Sequence, residues 1–134
     1  MNKICTTIEQ SQKLIELGID VNIADMMWDD WNLIDEGWKL SVGYYPEIEK
    51  DYGRKCYPAW SLSALIDTLP LGVDIHNISD GHKIYYYVEI YTKEIYIKLK
   101  RMNKPEICLS TERHENLVDA CVEMIVKLKE RNLL

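Results

Sequence analysis

The sequence predicts an α+β fold, an antiparallel sheet built around a central hairpin (83–100) with about three helices packed on one face. Residues 83–100, KIYYYVEIYTKEIYIKLK, alternate apolar and polar positions in β-branched and aromatic residues, which is typical of strands. Three other segments carry apolar residues at helical spacing beside capping residues. Strands joined by turns with helices at both ends indicate an antiparallel sheet covered by helices rather than a βαβ arrangement.

Length and composition indicate a single domain over residues 1–134. Apolar residues make up 47% and charged residues 28%, both ordinary for a globular protein. Phenylalanine is absent, while tyrosine occurs nine times and tryptophan four times. We therefore expect Leu, Ile, Met, Trp and the rings of Tyr to form the core.

The first half of the chain predicts one helix and two short strands. A helix is expected at 8–17, because Thr6 or Thr7 begins a capping box and Gly18 suits the position after the last turn. Turns, with a short strand or helical turn near 24–28, follow in the irregular stretch 19–38. A short strand is expected at 38–45 and a surface loop at 46–57.

The second half predicts two helices around the hairpin. The stripe Leu62, Leu65, Ile66, Leu69 indicates a helix at 62–69, with Ser61 as N-cap and Pro70 ending it. Short strands are expected at 73–78 and 106–110, and a turn at 79–81. The last helix, 117–131, begins after the N-cap Asn116 and carries its basic residues at the C-terminal end.

The hairpin register follows from the apolar alternation. One face is expected to pair Ile90 with Ile95, Val88 with Ile97 and Tyr86 with Leu99. That face would meet the helices, and the reverse face would be aromatic and basic.

Three segments carry a resemblance to known proteins: IEQSQKLIELGID (8–20), YPAWSLSALIDTLP (57–70) and NLVDACVEMIVKLKERNLL (116–134). Together they resemble small uncharacterised proteins of phages, prophages and mobile elements of gut bacteria. The resemblance covers roughly half of the chain, between its two ends and its centre. It implies such an origin and a cytoplasmic setting, and it carries no catalytic residue across.

An acidic, tryptophan-rich stretch is the most unusual feature of the composition. Positions 14–38 hold seven acids and no base. A protein-partner surface is one interpretation, with tryptophan anchors and an acidic rim formed by Asp25, Trp28, Asp29, Asp30 and Trp31. The alternative is that the tryptophans fill the core while the acids face water. A divalent cation at the three aspartates has less support, since the spacing is not that of an EF-hand.

The reverse face of the hairpin suggests a second kind of partner. Residues 81–104 contain six bases and two acids. Aromatic and basic side chains there could stack on single-stranded nucleic acid: Tyr85, Tyr87, Tyr96, Lys98, Lys100 and Arg101. The overall net charge of −6 disfavours this interpretation, and an ordinary solvated strand face is the alternative.

Motifs for catalysis or cofactors are missing from the sequence. His76, His82, Cys108 and His114 lack the short spacings of zinc sites, and there is no GxSxG, Cys/His signature or Gly-rich phosphate loop. We therefore predict no catalytic residue, no cofactor and no metal ligand. A metal- or thiol-dependent enzyme stays open as an alternative.

These observations predict a small non-catalytic accessory protein that acts through a protein partner or through self-association. A single-stranded nucleic-acid-binding module is the second hypothesis. The first residues, MNKICTTIEQSQ, contain no apolar signal region, no apolar run is long enough to span a membrane, and the cysteines form no CxxC pair. We therefore expect a cytoplasmic protein with reduced thiols.

Overall fold

A computed structural model describes residues 3–30, 37–70, 72–91 and 108–134 of the chain. Their contacts separate two compact units. The first unit is Ile4–Ala64, and the second contains Lys3 and the described residues from Leu65 to Leu134. The expectation of a single domain stays a prediction.

The α+β class is confirmed, but the strands that the structure describes form two sheets instead of the one that was predicted. Within the described residues each sheet has three antiparallel strands, in the spatial orders 38–42, 26–30, 56–59 and 73–79, 84–91, 108–110. Of the helices that the structure describes, none has the length and apolar character required to cross a membrane.

The first unit begins with the helix α1 (Ile8–Glu16), followed by a 3-10 turn at Val21–Ile23. Its sheet is made of β1 (Met26–Asp30), β2 (Trp38–Val42) and β3 (Cys56–Ala59). A short helix, α2 (Glu47–Tyr52), connects β2 to β3. The predicted surface loop at 46–57 is therefore wrong, since it contains α2 and the start of β3.

A buried threonine ties the beginning of the chain to the end of β3. Thr6 is fully buried, and its backbone N–H donates to the carbonyl oxygen of Trp60 at 3.0 Å. Its hydroxyl lies 2.8 Å from the hydroxyl of Ser11 and accepts the Trp60 backbone N–H at 3.1 Å. Because both hydroxyls and the bonded backbone groups of Thr6 and Trp60 have partners, their burial is tolerated. It fixes α1 against β3.

The second unit contains the sheet of β4 (Val73–Ser79), β5 (Ile84–Tyr91) and β6 (Cys108–Ser110). The helix α3 (Leu62–Thr68) spans the boundary between the units, and α4 (Leu117–Glu130) closes the chain. The face of α4 that packs toward β5 is buried, and it includes Cys121, Met124 and Leu128.

The middle strand β5 has partners on both sides. It pairs with β4 along residues 84–90, and with β6 at residues 89–91. Val88 donates its backbone N–H to the hydroxyl of Thr111, and its carbonyl accepts the Thr111 N–H, both at 2.9 Å. The central hairpin of the described sheet is therefore β4–β5, closed by the turn at 79–81 that the sequence predicted.

The predicted partner strand of β5, residues 95–100, lies outside the described residues, as do the three pairs expected for it. The part of the prediction that concerns β5 itself is confirmed. Val88 and Ile90 lie on one face and are fully buried, while Tyr87 and Glu89 on the other face are half-buried.

Candidate functional site

One face of the first sheet carries a row of large apolar side chains. The register places Trp28 of β1 opposite Leu40 of β2 and Tyr57 of β3, and Asp30 opposite Trp38. Since alternate strand residues share a face, Trp38, Leu40 and Val42 line β2 beside them. We call this set the aromatic face: Trp28, Trp38, Leu40, Val42 and Tyr57.

Part of the aromatic face is open to solvent. Val42 is 82% exposed and Trp38 is 38% exposed, although both are large apolar residues. The rings of Trp38 and Tyr57 touch, with centroids 5.4 Å apart and planes tilted by 60°. β2 is also an edge strand of the described sheet. An apolar row along a sheet edge is a common form of protein-binding surface.

Trp28 is anchored within the first unit. It is half-buried, and its indole Nε1–H donates to the carbonyl oxygen of Thr6 at 2.9 Å. The polar atom of its side chain is therefore already bonded within the first unit. Trp38, which the sequence analysis placed in a strand but not in a site, is the more exposed tryptophan. The sequence could not show this, because exposure depends on the neighbouring strand.

The predicted acidic rim is only partly present. Asp25 is exposed and accepts hydrogen bonds from the backbone N–H of Ser61, at 2.8 Å, and from its hydroxyl. Asp30 is half-buried on the aromatic face, opposite Trp38.

Asp29 is only 1% exposed and lies 3.3 Å from Arg54, on the reverse face. It cannot belong to an exposed rim. Trp31 lies outside the described residues.

The reverse face of the first sheet buries a thiol. Cys56 lies opposite Asp29, and its Sγ is 3.9 Å from Oε2 of Glu49. Burial, together with the nearby Glu49 carboxylate, raises the pKa of the Cys56 thiol. Burial also raises the pKa of Tyr44, with the negative charges of Cys56 and Glu49 as further causes. A thiol with a raised pKa holds little thiolate at neutral pH, so this cysteine is a poor nucleophile.

The net negative charge of the chain is located in its first unit. Residues 4–64 contain eleven acids and five bases, whereas the remaining residues contain eleven of each. The excess of six negative charges therefore falls in the unit that carries the aromatic face. A field of this sign favours the approach of basic partners.

The tyrosine face of β5 is acidic where the structure describes it. Tyr85 and Tyr87 share one face with Glu89, and the facing strand β4 adds Asp74 and His76. The Tyr85 hydroxyl donates to Asp80 at 3.4 Å. The other predicted members of a nucleic-acid face lie outside the described residues: Tyr96, Lys98, Lys100 and Arg101. Carboxylates beside the tyrosines oppose the approach of phosphates.

The same face brings together three side chains of the kinds that bind metal ions. One ligand atom each from Asp74, His76 and Glu89 lie within 4.8 Å of one another. The spacing in the sequence indicated no zinc site for His76 or His82, and His82 lies in the exposed β4–β5 turn. The overlooked signal was the turn at 79–81, because closing β4 onto β5 there puts Asp74 opposite Glu89.

Comparisons of the chain with protein-family models, with curated proteins and with solved structures give no match. A proposal about function therefore depends on the geometry and the charges of the chain itself.

Proposed function

We propose that this chain is a non-catalytic protein-binding module whose aromatic face holds a basic, apolar segment of another protein. The observation that carries the proposal is the exposed row Trp38–Val42 on an edge strand of the unit that has the whole net charge. The resemblance to phage and mobile-element proteins suits an accessory role of this kind, and that origin stays a prediction.

In this proposal apolar contacts supply the binding energy, and the negative charge selects a basic partner. Tryptophan and tyrosine are enriched among residues that dominate binding energy, because each buries a large rigid surface. Covering Trp38 and Val42 would remove apolar area from water, which is favourable. The excess of acids in residues 4–64 sets the partner's chemistry, since basic residues around its apolar side chains would be attracted.

A peptide selection tests this proposal without a known partner. A displayed library of random 12-residue peptides is selected on the immobilised full chain, with counter-selection on the bare support, and the enriched peptides are then measured against the Trp38→Ala variant. We expect enriched peptides that combine Lys or Arg with aromatic or branched aliphatic residues. Their affinity should fall by about tenfold or more in Trp38→Ala, the loss typical of an interface anchor. It should also weaken as salt rises.

Tyr52→Ala is the matched control, because Tyr52 is a 71% exposed aromatic of the same unit but lies on α2. Its affinity for the enriched peptides should equal that of the wild type. Peptides that bind Trp38→Ala as well as the wild type would contradict the proposal, and so would acidic consensus peptides. Light scattering tests whether a second copy of the chain occupies this face instead. A dimer that dissociates in Trp38→Ala would show that a second copy, not a basic partner, covers this face.

A further inference from the structure

We propose that Asp74, His76 and Glu89 form a binding site for a divalent transition-metal ion, with zinc the best fit. The site is in the second unit, on the face of β4 and β5 that α4 does not cover. It is separate from the aromatic face, so the two proposals stand or fall independently.

The strand register places two carboxylates opposite each other, and a cation between them would be stabilising. Asp74 and Glu89 are directly opposite each other in the β4–β5 pair, and His76 is two residues along on the same face. Like charges placed directly opposite on neighbouring strands destabilise a sheet. A bound cation between the two carboxylates turns this repulsion into attraction.

The distances fit ligands that are nearly in place. His76 Nε2 lies 3.8 Å from Glu89 Oε1, which is too long for a hydrogen bond. Two ligand atoms on one tetrahedral zinc ion, each at its usual bond length, are about 3.4 Å apart. The pair therefore has to close by only a few tenths of an ångström, and Asp74 completes three protein ligands within the 4.8 Å cluster.

The imidazole is held in position by a neighbouring ring. His76 stacks on Tyr87, with ring centroids 4.7 Å apart and planes 17° from parallel. Its Nε2 atom is buried and has no hydrogen-bond partner among the described residues. A buried polar atom without a partner is costly, and a bond to a metal ion would satisfy it. Access for an ion comes from the neighbouring ligand, because Asp74 is exposed and the His76 side chain as a whole is 39% exposed.

The donor set selects the class of ion. One imidazole nitrogen and two carboxylate oxygens suit zinc and its first-row neighbours, with water completing the coordination. Calcium and magnesium prefer oxygen-only sites, so both should bind much more weakly. The competing interpretation is a metal-free ion pair in which a protonated His76 alone separates the two carboxylates.

Titration of the full chain with Zn²⁺ distinguishes these interpretations. The metal-free chain is titrated in a calorimeter, and its thermal unfolding is followed with and without Zn²⁺. We expect one equivalent to bind and to raise the unfolding temperature, as any ligand specific for the folded state does. Losing a ligand should weaken binding by about 100-fold or more in His76→Ala and in the nearly isosteric Glu89→Gln, because losing a group that only orients a metal ligand already costs about 10- to 100-fold.

His82→Ala is the matched control, because His82 is an exposed histidine six residues away in the same hairpin. It should bind Zn²⁺ like the wild type. No binding by the wild type would overturn the proposal in favour of the metal-free ion pair. Unchanged binding in both His76→Ala and Glu89→Gln, or loss in His82→Ala, would place the ion elsewhere and overturn it too. Circular dichroism of each variant separates loss of ligands from loss of folding.

Discussion

At the scale of single residues, Glu123 connects the end of the second sheet to α4. Its carboxylate accepts hydrogen bonds from His114 Nε2 at 2.8 Å and from the backbone N–H of Glu112 at 3.0 Å, and it lies 3.1 Å from Lys127 Nζ. Burial alone would raise the pKa of Glu123, but the bonds from these three partners outweigh it, so the pKa is lowered. The charged form of Glu123 therefore stabilises the folded state.

Glu123→Gln should destabilise the chain in a pH-dependent way. A group whose pKa is lower when folded contributes stability above its ordinary pKa of 4.5, and that contribution is lost as the pH falls through the folded value. We expect a loss of about 1–2 kcal/mol in the free energy of unfolding at pH 7, the scale of hydrogen bonds to a charged group. The difference from wild type should shrink at pH 3. Denaturant unfolding at both pH values measures it.

Glu130→Gln is the control for that measurement, since Glu130 is exposed at the end of the same helix. It should change the stability little at either pH. A Glu123→Gln loss that is the same at pH 7 and pH 3 would show that packing, not charge, accounts for it.

The sequence predicted some of these residue roles and not others, according to how local they are. Asn116 was predicted as an N-cap, and its side chain accepts the Val118 N–H at 2.8 Å. That bond spans two residues, so the local pattern contains it. The partners of Glu123 include residues nine and eleven positions away, in a segment held by the bridge between His114 and Tyr86 of β5. Nothing in the spacing of the sequence shows them.

At the scale of elements, the capping box of α1 is the most complete local signal. Thr7 Oγ1 accepts the backbone N–H of Gln10 at 3.1 Å, and Gln10 Oε1 accepts the Thr7 N–H at 3.0 Å. This is one of the two frames that the sequence offered. The pair satisfies two backbone groups that a helix start otherwise leaves to water.

Thr7→Ala should lower the stability of the first unit by about 1 kcal/mol, the usual cost of removing an N-cap. Tryptophan fluorescence during urea unfolding reports it, because all four tryptophans lie within residues 4–64. Gln12→Ala is the control, since Gln12 is exposed within α1 and Ala is a good helix former. A Thr7→Ala stability equal to that of Gln12→Ala would contradict the role of the cap.

The elements that the sequence analysis missed have weak local signals. α2 has six residues and its N-cap Pro46 makes no side-chain bond, while β3 has four residues that include a proline. β3 forms by pairing with β1, and α2 contacts the reverse face of that sheet through Glu49 and Cys56. The three helices with capping residues and apolar stripes were predicted within about two residues of their ends, the usual uncertainty of helix boundaries.

The pairing of strands was predicted less well than the strands themselves. Alternation in residues 84–91 identified a strand and its buried face, which the structure confirms. Alternation does not show which strand pairs with which. The sequence predicted 95–100 as the partner of this strand and did not predict its pairing with β4. The candidate metal cluster depends on that pairing, because its three residues meet only when Asp74 lies opposite Glu89.

At the scale of the whole molecule, the two units differ in charge and in spectroscopic signal. The first carries the net negative charge and every tryptophan, while the second is neutral by count and holds the deeply buried Cys121. Burial raises the pKa of the Cys121 thiol to about 11, so it should resist thiol reagents until the second unit unfolds. Tryptophan emission and Cys121 labelling thus report the two units separately.

These two signals test the prediction of a single domain. Met124 is fully buried in α4, and Met124→Ala should cost about 2–5 kcal/mol, as large-to-small core substitutions do. In a single cooperative domain the urea midpoints of tryptophan emission and Cys121 labelling shift together, because two-state unfolding has one transition. Labelling is assigned to Cys121 by mass spectrometry of its peptide, and Glu130→Gln should shift neither midpoint. A tryptophan transition that stays in place while Cys121 becomes accessible earlier would show two independently folding domains.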